Sequence, residues 1–417
     1  MRRRTLRCSI IQSNLVVIGV DVAKTTFVAV GLHGDGAETK PRSFAMTRAG
    51  FDGFATWWEQ VATKAKAEGV VFALEPTGHY GTPLATWLQA LGQTVLLVQP
   101  LHTNRVKELY DGTRRKTDAK DAAVIADLCR RGVCRPWQAP RGAFAAQRVL
   151  SRRREQVVVQ QSQATNRLHR HLDVVFPELR LHFTKPTSAT VLALLEVACT
   201  PRAILALPFG ELVALLRAAS RGQLGEDRAR ALVTAAETSI GIAEGVQAHQ
   251  LAIRQTVAEL RQVRELLAEI ESEMRASLRE VPYAARMLSV PKLGAITAAT
   301  LLGELGDLRG YRHAAQLIKM AGLDLVESSS GQLKGKRHIS RRGRRYARQM
   351  LYLAALRLGG GALAAPRHRM VELHKKEPTK AAVANMCRLL RILHALVRDN
   401  VDFEPARYAL AEATMAA

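Results

Sequence analysis

The chain has 417 residues, 47% of them hydrophobic, and is therefore long and apolar enough for about two or three domains with their own cores. Lys and Arg outnumber Asp and Glu by 61 to 37, and the formal net charge of +24 indicates a polyanionic partner. Nucleic acid is the leading candidate for that partner, because the release of counterions from phosphates drives binding by basic surfaces, and a ribosome- or membrane-associated protein is the alternative. Five scattered cysteines, no signal-peptide core after Met1–Arg4 and no run of about eighteen apolar residues exclude a disulfide-rich, secreted or membrane-spanning protein and predict a cytoplasmic, nucleoid-associated one.

Strands and helices alternate through the first part of the chain. The run Leu15–Asp21 predicts a buried strand, because it is too short to span a bilayer and too β-branched to favour a helix. Thr26–Leu32 returns as the second strand of a hairpin, and Ser43–Thr47 is predicted as a third strand. The next predicted elements are a helix over 49–67, a strand over Val70–Glu75, a helix over Tyr80–Leu91, a strand over Thr94–Val98 stopped by Pro100, and a helix over Asp118–Arg131.

The middle of the chain has a helical pattern. A long helix is predicted from Phe144 to about Phe176, with a basic face, and residues 180–245 are helical segments without an assignable chemistry. Apolar residues then recur at intervals of three and four from Ile253 to Met274. This spacing predicts either a coiled coil or a helical hairpin with the earlier long helix, and a dimer through this segment. The basic face consists of Arg148, Arg152, Arg153, Arg154, Arg167 and Arg170.

A second compact domain is predicted over residues 286–357. Val290–Thr297 opens a helix that runs to about Leu305, and a second helix follows over His313–Met320. Short helices joined by a tight Gly-containing turn resemble the helix-hairpin-helix unit, whose backbone amides can hold DNA phosphates. The last predictions are a flexible break over Gly359–Ala365 and a final helix over residues 376–400.

Acidic residues end two of the strands and begin one of the helices. Asp21 and Glu75 each end a strand, at the edge where open α/β sheets place their ligands. Asp118 and Asp121 share one face of a helix. Taken alone, this pair could instead have a structural role, because acids in the first turn stabilise the amino terminus of a helix. Four carboxylates brought together without cations would be strongly unfavourable. The set therefore predicts two divalent ions about 4 Å apart, Mg²⁺ or Mn²⁺ rather than zinc, because every ligand is an oxygen.

Three motifs carry these acids: Val17–Lys24, Glu75–Tyr80 and Lys116–Ala122. They resemble the three acidic motifs of the DEDD transposases, the insertion-sequence-110 family of bacterial mobile elements. The order β-β-β-α-β-α-β-α, with acids at two strand ends and on the last helix, is also the layout of an RNase H-like nuclease domain. The resemblance implies a Holliday-junction-resolvase-like (RuvC-like) domain in which Asp21, Glu75, Asp118 and Asp121 are catalytic metal ligands.

The resemblance resumes at Pro291–Gly322 and Ser330–Gly343, which look like the family's carboxyl-terminal transposase domain. One departure is Lys292, where the family often has Gly in the hairpin turn. The expected fold is an α/β RNase H-like domain, a long helical or coiled-coil segment, and an all-α helix-hairpin-helix-like domain. The expected boundaries are 1–145 for the catalytic domain, 146–282 for the linker and dimerisation region, and 283–417 for the transposase domain with its serine and basic segment.

The resemblance also implies a nucleophilic serine in the second domain, which forms a transient covalent link to DNA beside the four acids. Matched by motif, this serine is Ser330. A hydroxyl is a weak nucleophile unless a metal or a base activates it, and the acids would supply the metal. Ser328 and Ser329 compete, because slippage by one residue is easy in a serine run, and Ser340 is a more distant option. Without the resemblance, the serine run would be interpreted as a loop.

A basic run covers Gly331–Arg348, with eight Lys or Arg and no acid. Such a run would repel itself unless a polyanion binds, which favours contact with a DNA or RNA backbone over a solvated surface helix. The resemblance implies a structured guide RNA from the element's own non-coding end that pairs with donor and target DNA. The basic helix after Phe144 is a further candidate for RNA contact. The expected nucleic-acid-binding residues are Lys334, Lys336, Arg337, Arg341, Arg342, Arg344, Arg345 and Arg348.

These features predict a Mg²⁺-dependent DNA recombinase that cuts and rejoins strands to mobilise its own insertion sequence. Its expected partners are the element ends, the target DNA, a guide RNA and further copies of itself in a homodimer or tetramer. One alternative is a junction-resolving endonuclease that hydrolyses DNA with water, using the same acids and no serine. Another is a non-catalytic nucleic-acid-binding protein whose acids are structural.

Overall fold

The computed structural model describes residues 14–76, 78–111, 117–330, 333–358 and 377–405, with the side chains of 108–111, 328–330 and 333–336 outside that description. The chain divides into two compact units, Met1–Pro140 and Arg141–Ala417. No helix within the described ranges is long and apolar enough to cross a membrane. A division of the second unit into a linker and a transposase domain stays a prediction.

The first unit is built on one mixed sheet. Its strands are β1 (Leu15–Val22), β2 (Thr26–Leu32), β3 (Arg42–Ala45), β4 (Gly69–Leu74), β5 (Thr94–Leu97) and β6 (Arg135–Pro136). Its helices are α1 (Arg48–Lys64), α2 (Gly81–Ala90), α3 (Pro100–Asp111) and α4 (Asp118–Arg130). The strand order is β3-β2-β1-β4-β5-β6, with β1 antiparallel to β2 and parallel to β4. This order is that of an RNase H-like fold, which confirms the fold predicted for the unit.

The sequence did not predict two elements of the first unit, helix α3 and the short strand β6. Pro100 was expected only to stop the preceding strand, but it occupies the first position of α3. Proline is favoured there because a helix leaves its first N–H groups without an intrahelical partner. Strand β6 has two residues, which is too short for a periodic pattern.

Residues of β1 alternate between the two faces of the sheet. Ile18 and Val20 belong to a core that includes Phe54 of α1, where several aromatic rings pack together. Val17 belongs to the opposite core, with Ile125 of α4. This alternation follows from the twofold period of a strand and places α1 and α4 on opposite faces.

The second unit is predominantly helical. Its helices are α5 (Ala143–Val175), α6 (Leu179–His182), α7 (Ala189–Val197), α8 (Pro201–Ala206), α9 (Phe209–Ser220), α10 (Glu226–Glu237), α11 (Val246–Arg279), α12 (Ala284–Leu288), α13 (Ala295–Leu305), α14 (Ala314–Met320), α15 (Arg345–Leu358) and α16 (Pro378–Asp399). A hairpin of β7 (Leu325–Ser330) and β8 (Leu333–Ile339) is added to them.

The two longest helices, α5 and α11, pack against each other in antiparallel directions. Ser277 near the end of α11 donates to the carbonyl of Ala143 at the start of α5, and His249 near the start of α11 contacts His171 near the end of α5. The predicted apolar stripe of α11 is buried in this pairing, from Ile253 to Met274. The stripe is therefore covered within the chain, and the dimer stays a prediction.

The hairpin β7–β8 is the main difference from the all-α domain that was expected at the carboxyl end. Its strands are mostly polar, and Leu325 and Val326 of β7 are exposed to 66% and 39%. Ile339 at the end of β8 is partly buried against the core. The sequence of the hairpin lacks the regular apolar alternation by which a strand is recognised. The break predicted over 359–365 lies outside the described residues.

Candidate functional site

Asp21 and Glu75 are neighbours at one edge of the sheet. The parallel register pairs Gly19 with Ala73 and Val20 with Leu74, so Asp21 and Glu75 are the next residues of the two adjacent chains. Because side chains alternate along a strand, Asp21 lies on the same face as Gly19. That face is covered by α4.

Helix α4 approaches β1 unusually closely, because Gly19 has no side chain. A Cβ atom at Gly19 would lie 2.1 Å from the carbonyl oxygen of Ala122 and 2.6 Å from the amide nitrogen of Ala126. The start of α4 is fixed by Thr117, whose hydroxyl accepts a hydrogen bond from the Lys120 amide at 3.2 Å. This packing places the first turn of α4 beside the carboxyl end of β1.

That first turn contributes the other two acids. Asp118 is exposed, whereas Asp121 is 4% exposed. Burial, followed by the charges of Asp121, Asp118 and Glu75, raises the pKa of Asp21 to about 6, while the charge of Lys107 opposes this shift. The structure thus brings the four predicted carboxylates within electrostatic reach of one another.

Lys107 of α3 is a member of this site that the sequence analysis missed. Its ammonium nitrogen lies 2.7 Å from Oδ2 of Asp121, and its side chain is 20% exposed. The other oxygen of Asp121, Oδ1, is buried without a hydrogen-bond partner among the described residues. The available signal was Pro100, which marks the start of the helix that carries Lys107.

The donor atoms suit a hard divalent cation, because all four side chains present carboxylate oxygens and one of these is buried and unpartnered. As they stand, no three His, Cys, Asp or Glu side chains in the described ranges are arranged to hold a metal ion. Asp127, another buried acid of α4, differs because Arg131 neutralises it at 2.7 Å. Uncompensated negative charge is thus concentrated around Asp21.

Ser330 belongs to the second unit, at the end of β7. Its backbone pairs with Leu333 across the hairpin, and the register is irregular between Ser328 and Ser330. The side chains of all three serines in the run lie outside the described residues. Ser340, the distant alternative, is engaged structurally: its hydroxyl donates to Oδ1 of Asp324 and accepts from the Arg342 amide.

The basic run includes strand β8 and the start of α15. Acids from outside the run neutralise part of it, because Glu327 pairs with Arg337 and Glu155 pairs with Arg345. Arg341 and Arg342 are exposed, and burial together with the charges of Arg341 and Arg345 lowers the pKa of Arg348. The side chains of Lys334 and Lys336 lie outside the described residues, and Arg344 donates its amide to the carbonyl of Met320 at 2.9 Å.

Most arginines of the basic face of α5 form contacts within the chain, and contact of this face with RNA stays a prediction. Arg152 forms a two-point ion pair with the buried Glu304 of α13, at 2.6 and 2.7 Å. Arg148, Arg154 and Arg167 likewise donate to groups on α13 and α11. Of the six arginines, Arg153 and Arg170 are the exposed ones.

Comparisons with known proteins give the following matches. The model of the IS110 DEDD transposases matches residues 18–177, and that of the transposases of the IS116/IS110/IS902 family matches residues 284–359. The 44.8 kDa protein of insertion element IS116 from Streptomyces clavuligerus is 27% identical, over 93% of this chain and 96% of that protein. The 43.6 kDa protein of IS110 from Streptomyces coelicolor is also 27% identical, over 93% and 95% of the two chains.

Among solved structures, RuvC of Thermus thermophilus matches with a TM-score of 0.23 and 16% identity, over 29% of this chain and 99% of that one. The fold assignment rests on the strand order rather than on this match. The first family model extends to the end of α5, the second begins after α11, and together they cover more than half of the chain. The chain therefore belongs to the IS110 family of DEDD transposases, enzymes that recombine DNA.

Proposed function

We propose that this transposase cuts and rejoins DNA strands with Asp21, Glu75, Asp118 and Asp121 as ligands of two divalent cations, Mg²⁺ or Mn²⁺. The observation that carries the proposal is the raised pKa of Asp21, which burial and its three acidic neighbours bring to about 6. Perturbed carboxylates at a strand end are typical of sites that act on a charged ligand. When bound, the cations would activate an attacking oxygen and stabilise the leaving oxygen of the phosphate.

Lys107 completes this proposal. Its ammonium group balances part of the negative charge of Asp121 when the carboxylates are without cations. Since a cation and an ammonium group compete for the same oxygen, Lys107 would turn away from Oδ2 when the site is loaded. The released ammonium group would then favour the binding of a DNA phosphate.

The acid set is tested by Mg²⁺ binding and DNA cutting in matched variants. Asp21→Asn and Asp121→Asn should lose calorimetric Mg²⁺ binding and DNA cutting together. Asp52→Asn removes an exposed acid of α1 and should retain both. Wild-type cutting by Asp21→Asn would show that the carboxylate set has no catalytic role.

The serine step is proposed for Ser330. Its Oγ attacks a DNA phosphorus, a bond from serine oxygen to phosphorus forms, and the bond from phosphorus to a sugar oxygen breaks. The sugar leaves as a hydroxyl with the proton that the serine loses, and a second DNA hydroxyl later reverses the exchange. Support comes from the motif and from the position of Ser330 beside the basic run. The hydrolytic alternative uses water instead and forms no adduct.

The last part of the proposal is that RNA from the same element guides the protein. The protein acts as an assembly of two or four copies. Arg341 and Arg342 are its best-placed backbone contacts, because both are exposed and the charge of Arg341 acts on Arg348. Replacing both by Ala should weaken RNA or DNA binding and reduce the slope of log K against log salt by about 0.7–0.9 per phosphate contact. Arg357→Ala with Lys380→Ala removes equal charge elsewhere and should leave the slope unchanged.

A further inference from the structure

A basic pocket lies in the first unit, between the end of β2, the start of β3 and the second half of α1. Its volume is about 310 Å³. The wall next to β2 is fixed by Thr39, which exchanges two hydrogen bonds with Gly31: the Gly31 amide donates to Thr39 Oγ1 at 2.9 Å, and the Thr39 amide donates to the Gly31 carbonyl at 2.8 Å. These two hydrogen bonds hold one wall of the pocket in place.

Positive charge dominates this pocket. Lys40, Arg42 and Lys64 line it together with His33, and no Asp or Glu is among its described lining residues. Arg42 is held in place over the ring of Phe44, at 5.7 Å. Three cations around one small cavity repel one another, so an anion that enters it gains free energy from all three.

The floor of the pocket is apolar. Trp57 and Val61 of α1 line it, and both are otherwise buried in the core. A free phosphate would use only the cations and leave this apolar surface uncovered. A ligand that combines a phosphate with a flat, partly apolar group fits both parts, and a cavity of this size matches the lower end of small-ligand sites, about 300 Å³.

The pocket is separate from the carboxylate site. The antiparallel register pairs Leu32, the last residue of β2, with Val17 near the start of β1. Asp21 is paired with Val28, four residues further towards the other end. His33 thus lies at the sheet edge opposite to the acids, and the pocket shares no residue with them.

We infer that this pocket binds one nucleotide of a single-stranded segment of nucleic acid. The phosphate lies among Lys40, Arg42 and Lys64, and the base or sugar lies against Trp57 and Val61. Base contact with an aromatic wall in a positively charged groove is a general mode of single-strand binding, and it tolerates any base. The segment is DNA or RNA, since both present the same phosphate and base.

The test is photo-crosslinking with the full-length protein in EDTA, so that the result does not depend on the proposed catalysis. The probes are a 20-nucleotide oligo(dT) containing iododeoxyuridine and a 20-nucleotide oligo(U) containing iodouridine. Mass spectrometry then locates the crosslinked residue. We expect crosslinks within residues 33–64 with at least one probe, and the probe with the higher yield identifies the natural source.

Matched double variants decide whether the pocket charge matters. Lys40→Gln with Lys64→Gln should reduce the crosslink yield several-fold. Arg48→Gln with Lys66→Gln removes the same charge from neighbouring exposed positions outside the pocket and should retain the wild-type crosslink yield. Crosslinks found only outside residues 33–64, or equal losses in the two double variants, would overturn the inference. Equal melting temperatures of the variants verify that both fold.

Discussion

At the scale of single residues, Asp21 lies among side chains of the same charge. Its own burial and the carboxylates of Asp121, Asp118 and Glu75 all disfavour its ionised form, and only Lys107 opposes them. Such an arrangement lowers the stability of the cation-free protein, because the folded chain must keep a charge where it is poorly solvated. Functional sites commonly show this exchange of stability for reactivity.

The pH dependence of stability tests this strain directly. The folded pKa of Asp21, about 6, is above the ordinary value of 3.8, so ionisation between these pH values destabilises the fold. The unfolding free energy of Asp21→Asn should therefore equal that of the wild type below about pH 4 and exceed it above about pH 6. The difference between these two pKa values corresponds to about 3 kcal/mol of unfolding free energy, and solvent screening of this half-buried group reduces the expected gain in stability to about 1–2 kcal/mol.

Denaturant unfolding in EDTA across this pH range measures the difference. Asp52→Asn, at an exposed position, should show no such pH dependence. Addition of Mg²⁺ should stabilise the wild type and leave Asp21→Asn almost unchanged, because a ligand stabilises only the state that binds it. A constant difference between the two proteins from pH 4 to pH 7 would refute the electrostatic explanation.

Lys292 has a left-handed backbone, with a φ of 63°. A side chain with a Cβ atom is disfavoured in this region, whereas Gly adopts it freely. The backbone of the turn before α13 is therefore better suited to Gly than to Lys. Lys292→Gly should raise the free energy of unfolding by about 0.5–1 kcal/mol, after allowing for the greater freedom of Gly in the unfolded chain.

Lys319→Gly provides the matched control for thermal or denaturant unfolding. Lys319 is exposed and lies in helix α14, where Gly should cost about 1 kcal/mol. We therefore expect Lys292→Gly to raise the unfolding free energy and Lys319→Gly to lower it. Destabilisation by Lys292→Gly would mean that contacts of the lysine side chain outweigh the backbone strain.

The close packing of α4 on β1 determines the site at the scale of elements. Gly19 and the alanines of α4 let the two backbones approach, and this brings the first turn of the helix to the end of the strand. The acids are therefore placed by residues that have no charge. A wider spacing would separate Asp118 and Asp121 from Asp21 even if all four acids were intact.

Gly19→Ala should disrupt this packing. The new Cβ would meet backbone atoms that cannot rotate away, and we expect a loss of about 3 kcal/mol in unfolding free energy, at the upper end of overpacking effects. Gly53→Ala in α1 is the control, since its Cβ would enter open space and should stabilise the helix by about 0.5–1 kcal/mol. Denaturant unfolding gives both values, and a neutral Gly19→Ala would contradict the close approach.

The sequence predicted most elements of the sheet and the positions of the acids, because buried strands and helix stripes leave a periodic pattern. Asp21 and Glu75 could be located as the ends of such strands. Lys107 could not, since its contact with Asp121 joins two helices across a segment without a pattern. The β7–β8 hairpin was missed because its strands are mostly polar. The ion pairs of the α5 arginines were missed because their acidic partners lie far away in the sequence.

At the scale of the whole molecule, the high positive charge is distributed unevenly. Much of the charge on α5 is neutralised by ion pairs within the chain, and among the described residues the loop before α15 and the pocket beside β3 are concentrated positive regions. The acids belong to the first unit and Ser330 to the second. Our account requires that both units act in one reaction on the same DNA.

The most direct test is detection of a covalent protein–DNA adduct with labelled DNA, the element's RNA and Mg²⁺. The account predicts that Ser330→Ala and Asp21→Asn both abolish the adduct and recombination, whereas Ser328→Ala and Ser329→Ala retain them. Recombination by Ser330→Ala at the wild-type rate, or an adduct formed by Asp21→Asn, would contradict it.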